Sequence, residues 1–232
     1  MRFLIILICT IAVVFILRNP LRSCPVAFYA LAIAADALYL CADVIGLPRA
    51  VDSALFVLIH KCTLALALFV VVMFIGVFSR ESKVRRWLQP VRAELSIVAW
   101  ILSLGHMAAY LSSYTTRIVA GTVDGAVLIA LIVALVLFVL LLVLGVTSFQ
   151  FAKRRMSRTV WKHVQTSSYV FFALVYVHLM LMLLPPALQG GLAAQAAVVI
   201  YSVIFVGYAI ARIARAVLGS KNAAARKGKA TV

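Results

Sequence analysis

The sequence predicts an all-α protein, a bundle of about seven helices that crosses a membrane. Of its 232 residues, 66% are hydrophobic, whereas a soluble domain is nearer half apolar. Several apolar stretches reach the roughly 20 residues that a helix needs to cross about 30 Å of hydrocarbon. The alternating pattern of a membrane β-barrel is missing, and lipid would leave the edges of an open sheet unsatisfied.

Short connectors with proline, glycine or clustered charge separate the apolar stretches. The predicted spans cover about 2–17, 25–47, 53–79, 95–114, 126–149, 164–184 and 193–218. The first resembles a signal peptide but lacks a convincing small-residue cleavage site, so we interpret it as an uncleaved helix. No span is clearly broken midway by glycine or proline. We expect one bundle over 1–218 and a basic tail over 219–232 that is disordered or lies on anionic lipid.

The formal net charge of +16 comes from basic clusters in alternate connectors. The connectors after the first, third and fifth spans and the tail are rich in Lys and Arg, and the others are not. The positive-inside rule therefore places the N-terminus outside and the C-terminus in the cytoplasm. Because the charge is divided among connectors, we do not expect nucleic-acid binding. The four cysteines form no CxxC pair, so neither a zinc motif nor a haem-attachment motif is present.

Ionisable side chains inside predicted spans are costly and usually functional or paired, and several of them are candidates for a site. These candidates are Asp36, Asp43, His60, Lys61, His106 and His178. Counted from the basic residues that precede their spans, His106 lies roughly 21 Å and His178 roughly 24 Å along parallel helices. Two imidazoles at one level in the outer half suit a b-type haem with two histidine ligands. Alternatively, each histidine hydrogen-bonds a neighbouring helix.

Small and aromatic residues surround the two histidines in the sequence. Glycine and alanine beside His106 are expected to leave room for a porphyrin, and aromatic rings near His178 to pack on it. These residues are Gly105, Ala108, Ala109, Phe171, Phe172 and Tyr176.

His60 also falls in the outer half, roughly 12 Å into the third span, and Lys61 follows it. The two could contact haem propionates, serve a quinone, or pair with Asp36 or Asp43. A structural ion pair plus one hydrogen-bonded histidine is the plainer alternative. His60 is also a candidate for an axial ligand in place of one of the other two histidines.

Two stretches resemble the ferric reductase-like transmembrane family. "RAELSIVAWILSLGHMAAYL" is similar to its arginine-to-histidine helix, and "LGVTSFQFAKRRMSRTVWKHVQTSSYVFFALVYVHLML" to its next signature. The matching features of the second are Thr147, Ser148, Lys153 to Arg155, Trp161, Lys162, Tyr169 and His178. The resemblance covers roughly residues 50–184, and within the family the chain is similar in particular to the haem-binding membrane subunit of the periplasmic methionine-sulfoxide reductase system. It implies a bacterial cytoplasmic-membrane location and an electron-transfer role.

Full members of the wider family carry two stacked haems, but the inner-haem histidines would fall here on Arg92 and Gln165. The resemblance thus implies one haem b, held by His106 and His178. Such a haem lies some 20 Å from the cytoplasmic face, so a quinol or a donor on the outer face is favoured over a flavin on a cytoplasmic partner. We expect the electron-transfer subunit of an oxidoreductase, with a redox partner protein on the outer face.

The alternative is a non-redox membrane protein, either a small carrier or an assembly partner that keeps the fold without haem. Asp36, Asp43, His60 and Lys61 would then form a polar path through the bundle. The chain is short for a secondary transporter, and an unbroken set of spans disfavours that class.

Overall fold

A computed structural model of the protein describes residues 2–79, 81–121 and 125–230. It is 89% helical, and the described ranges contain no strand, which confirms the all-α class. The first half comprises α1 (Arg2–Ile16), α2 (Arg18–Ser23), α3 (Pro25–Leu40), α4 (Ala42–Ile45), α5 (Arg49–Leu55), a π-helix (Phe56–His60) and α6 (Thr63–Ile75). The second comprises α7 (Lys83–Leu88), a 3-10 turn (Gln89–Val91), α8 (Arg92–Val119), α9 (Gly125–Ser148), α10 (Gln150–Arg155), α11 (Arg158–Thr166), α12 (Ser168–Leu188) and α13 (Leu192–Ala230).

Four helical segments are long and apolar enough to cross a membrane, namely Lys83–Leu111, Val127–Ser148, Arg158–Leu188 and Leu192–Gly219. A fifth arises if the bent pair Arg49–His60 and Thr63–Ile75 is one span. α1 and α3 are also apolar but have only 15 and 16 residues, which corresponds to about 24 Å or less of helix. The architecture is consistent with a membrane helix bundle, and the count of seven spans stays a prediction.

The third predicted span, 53–79, is not continuous. A π-helical turn ends at His60, the main chain at Cys62 takes a left-handed φ of 54°, and the two halves are bent by 43°. Neither glycine nor proline occurs at this break, so the residue pattern did not predict it. The hydroxyl of Thr63 donates a hydrogen bond of 2.6 Å to the carbonyl of Val57, so a side chain supports the irregular turn.

The core lies around α6 and α8. α8 packs on α3, α6 and α9, while α12 packs on α9 and α13 and α1 packs on α6. Ala65, Ala67 and Ala99 are 1%, 0% and 0% exposed, and such small side chains let helices approach closely. By contrast, α9 exposes a row of large aliphatic side chains such as Ile132 and Val139. The outer surface is therefore as apolar as lipid contact requires.

The last helix extends through most of the predicted basic tail. α13 has 39 residues and continues to Ala230, so the backbone of 219–230 is helical, and the alternative that the tail lies on anionic lipid stays a prediction. The remaining two positions of the tail, 231 and 232, lie outside the described residues.

Candidate functional site

The main chain at the break in the third span orients the ring of His106. Nδ1 of His106 lies 2.6 Å from the carbonyl oxygen of His60. A carbonyl can only accept, so the proton is on Nδ1 and Nε2 carries a free lone pair. Histidines that ligate metals usually donate their other N–H in this way to a carbonyl or carboxylate. His106 is thus prepared to coordinate through Nε2.

The side chain of His60 is held among aromatic rings. Its Nδ1 lies 2.8 Å from the hydroxyl of Tyr39. Its ring stacks on Phe56 with centroids 4.7 Å apart and lies 4.5 Å from the ring of Tyr110. Tyr110 also contacts His106, with centroids 4.8 Å apart. His60 and His106 therefore share one aromatic wall as well as the main-chain hydrogen bond.

Lys61 is exposed and points back along the π-helix. Its ammonium lies 5.2 Å from the centroid of Phe56, where a cation is attracted by the face of the ring. Asp36, one of its predicted partners, faces α8 instead. The structure thus keeps Lys61 next to His60 but at the surface of this cluster.

His178 lies on α12 and its Nδ1 is buried without a hydrogen-bond partner among the described residues. The carbonyl of Ala130 lies beside the ring without giving Nδ1 a bond of good geometry. A buried polar atom without a partner requires an explanation. His178 and His106 are close enough to interact electrostatically, so the fold brings the two predicted ligands into the same part of the bundle.

The space beside Gly105 is taken by a carboxylate. A Cβ at Gly105 would collide with the side chain of Asp36 from α3, and Asp36 is only 8% exposed. One of its oxygens, Oδ1, is buried and makes no hydrogen bond within the described residues. The prediction that Gly105 leaves room for a porphyrin is therefore wrong, because the glycine is required for close contact between α3 and α8.

The aromatic residues that precede His178 serve the protein core. Phe171 packs on Phe69 with centroids 5.3 Å apart. Phe172 and Tyr176 both stack on Phe205 of α13, at 4.3 and 5.3 Å. Their rings pack on neighbouring helices, and a contact with a porphyrin stays a prediction.

The described residues contain no group of three or more His, Cys, Asp or Glu side chains that could hold a metal ion. An axial pair of histidines needs only two such ligands, because the porphyrin supplies the other nitrogens of a haem. The donors that fit this requirement are Nε2 of His106 and Nδ1 of His178, which has no hydrogen-bond partner among the described residues.

A second candidate site contains the two positions at which the wider family would carry its inner-haem histidines. Arg92 and Gln165 line one small cavity of about 60 Å³, and Trp100 lines it as well. Gln165 donates a hydrogen bond of 3.0 Å to Thr147, whereas Nε of Arg92 and Nε1 of Trp100 are buried without partners. The register of the two histidine helices predicts that these positions face each other, but only the fold shows the space between them.

No protein-family model matches the chain, and no solved structure matches it. A curated protein of Treponema pallidum (strain Nichols), described as an uncharacterized protein, is 36% identical over 174 residues. The match covers 73% of this chain and 48% of that protein, so the chain spans about half the length of the curated relative. This chain is therefore similar to one part of a longer spirochaete protein, and the resemblance to ferric reductase-like proteins stays a prediction.

Proposed function

We propose that the protein is a transmembrane b-type cytochrome, the electron-transfer subunit of an oxidoreductase. His106 and His178 would be the axial ligands of one haem b. When bound, the haem supplies one-electron transfer between a donor and an acceptor. The observation that carries the proposal is the hydrogen bond from Nδ1 of His106 to the carbonyl of His60.

The protein would set the orientation of the two imidazoles. The carbonyl of His60 fixes the tautomer and the angle of His106, and an N–H to a carbonyl raises the basicity of the opposite nitrogen. The ring of Tyr110 contacts both His60 and His106 and limits their rotation. His178 has no competing hydrogen bond at Nδ1, so its ring can adopt the direction that a ligand requires. Each of these features acts on ligand geometry.

The topology of the proposal follows the charge pattern. The chain would lie in a bacterial cytoplasmic membrane with seven spans, its N-terminus outside and its basic connectors in the cytoplasm. α1 and α3 would then be short spans, which tilting of other helices or local thinning of the bilayer accommodates. This orientation puts His106 and His178 in the outer half of the membrane. An acceptor protein on the outer face is therefore the expected partner.

The donor would be a quinol that enters from the bilayer, or a flavin on a partner. His60 and Lys61 lie at the break in the third span, and Lys61 is exposed, so they mark a polar opening from the lipid side. A haem propionate is the other anionic group that Lys61 could contact. Quinol binding and propionate binding by Lys61 can be separated by experiment, because only a role in quinol binding is expected to affect the rate at which quinol reduces the haem.

The test is the haem content of the full-length protein purified in detergent from cells supplied with haem. We expect about one haem b per chain, with reduced α and β bands that both His106→Ala and His178→Ala remove. His163→Ala is the matched control, because His163 is exposed and bonds only the carbonyl of Thr159 in its own helix. A colourless wild-type protein that is monodisperse and helical would overturn the proposal.

A second candidate function is a small carrier, and a specific observation favours it. The third span is broken, and the buried carboxylate of Asp36 on α3 lies against Gly105, the residue before His106 on α8. Broken helices and buried acids form the proton and ion sites of many transporters. A carrier would be haem-free and would release protons on substrate binding in a way that Asp36→Asn abolishes. A haem-containing protein in which Asp36→Asn retains its spectrum would exclude this role for Asp36.

A further inference from the structure

Four arginines converge on one cleft at the end of the bundle where α8 begins and α6 ends. The cleft has a volume of about 550 Å³, and its lining includes Arg85, Arg92, Arg212, Arg215, Tyr169 and Tyr208. The arginines come from three separate elements, α7, α8 and α13. All four are half-buried, so the fold holds them partly out of water and close together.

The charges in this cleft are not balanced by the described part of the chain. None of the described residues that line it is acidic. Arg212 donates to the hydroxyl of Tyr169 at 2.5 Å and to the carbonyl of Gly76 at 3.4 Å. Arg85 donates to the carbonyl of Phe78 at 3.0 Å. These neutral acceptors satisfy donors but do not offset positive charge.

Arg92 lies deepest and links the cleft to the interior. It interacts electrostatically with Arg85 and Arg212, which carry the same charge, and its Nε is buried without a partner. Like charges held together in a partly dehydrated site are costly. An anion with several acceptor oxygens would offset this cost and would satisfy the free donor.

The cleft adjoins the small cavity described above, because Arg92 and Met73 line both. Most of the lining of that cavity is apolar, including Phe69, Leu141 and Phe171. The combined site therefore has a strongly basic mouth and an apolar interior between helices. A charged mouth beside an apolar interior suits an amphipathic anion. Basic pockets between membrane helices bind phosphate headgroups of lipids.

We propose that the arginine cleft binds a phosphate group, presented as the headgroup of an anionic membrane lipid whose apolar part lies against the adjoining cavity. Arginine suits this role because its planar donors match phosphate oxygens in pairs. The bound lipid would join the middle of α13 to α7 and the start of α8. The site is separate from the proposed haem ligands and does not depend on them.

Native mass spectrometry of the full-length protein in detergent tests the proposal. After extraction and washing, wild-type protein is expected to retain one phosphatidylglycerol per chain in preference to phosphatidylcholine. The double variant Arg212→Gln/Arg215→Gln is expected to lower its occupancy about tenfold or more, since two charge-assisted contacts are lost. Arg86→Gln is the matched control, because Arg86 lies on α7 but is exposed and does not line the cleft.

Thermal unfolding in three additions distinguishes the sources of the phosphate. Protection by phosphatidylglycerol, but not by phosphatidylcholine or inorganic phosphate, assigns a lipid headgroup. Equal protection by inorganic phosphate supports the phosphate site and assigns it to a free anion. Protection by neither, or the same loss in Arg86→Gln as in the double variant, overturns the proposal. The reduced haem spectrum of these preparations is expected to stay unchanged, so the cytochrome proposal is tested separately.

Discussion

Nδ1 of His106 donates to the main-chain carbonyl of His60 across 2.6 Å, and this contact joins two irregular features of the chain. His60 is the last residue of a π-helical turn, a type of turn that is frequent at functional sites. Because the acceptor is a main-chain atom, the side chain at position 60 can change without removing it. Different consequences therefore follow for substitutions at the two histidines.

We expect His60→Ala to retain haem b, whereas His106→Ala loses it. The variant keeps the carbonyl that orients His106 and loses only the aromatic contacts and the hydrogen bond with Tyr39. Haem-to-protein ratio and the reduced-minus-oxidised spectrum provide the measurement. Tyr39→Phe, which removes the same hydrogen bond but keeps the ring, is the control. A colourless His60→Ala protein beside a coloured Tyr39→Phe protein would identify His60 as a ligand.

Gly105→Ala is expected to destabilise the protein by about 1–3 kcal/mol, the usual cost of overpacking. The added Cβ would occupy the position of the Asp36 carboxylate. Combining it with Asp36→Ser, a shorter side chain, should recover part of the loss, because contacting residues are not additive. Unfolding of the single and double variants in detergent measures this coupling. Strict additivity would mean that the two residues do not meet.

Gly145 on α9 is in a similarly close contact, in this case with the indole of Trp100. A Cβ at Gly145 would overlap the indole ring, so Gly145→Ala is expected to lower the free energy of unfolding by about 1–3 kcal/mol. Gly207 in α13 is a matched helical control, since a Cβ there meets nothing within 4 Å. Gly207→Ala should be neutral or should stabilise by up to about 1 kcal/mol. If Gly145→Ala and Gly207→Ala changed the free energy of unfolding in the same direction, the close contact between Trp100 of α8 and Gly145 of α9 would be contradicted.

Thr63→Val probes the broken span directly. The valine preserves shape but removes the hydroxyl that donates to Val57 at 2.6 Å, so a loss of about 1–2 kcal/mol is expected. Thr166→Val is the comparison, because Thr166 is exposed and donates to the carbonyl of Lys162 within its own helix. Urea unfolding followed by circular dichroism gives both values. An effect of Thr63→Val no larger than that of Thr166→Val would show that the π-helical turn does not need this support.

Long apolar helices were the most predictable part of the fold. The span predicted over 126–149 matches α9, Gly125–Ser148, and the one over 95–114 lies inside α8. Length and apolar composition determine such helices locally, because a helix satisfies its own backbone. The break at Lys61 and Cys62 contains no glycine or proline that would have indicated it. It depends on packing and on the hydroxyl of Thr63, which local pattern does not contain.

The candidate site was also predictable only in part. Helical register placed His106 and His178 at one level, and the structure brings them close enough to interact. The neighbours were predicted less well: Gly105 contacts Asp36, and the aromatic rings near His178 pack on α6 and α13. Spacing along one helix predicts the depth of a side chain in the membrane. Which residue of another helix packs beside it depends on how the two helices cross.

The sequence by itself therefore determined the helical class and the long apolar helices, because each depends on residue type and on spacing along one chain segment, whereas the ligand role of the histidine pair stays a prediction. Only the tertiary structure decided that a broken helix orients His106, that Asp36 faces Gly105, and that arginines from α7, α8 and α13 share a cleft. Those relationships join residues that are distant in sequence, and the packing of helices on one another fixes them.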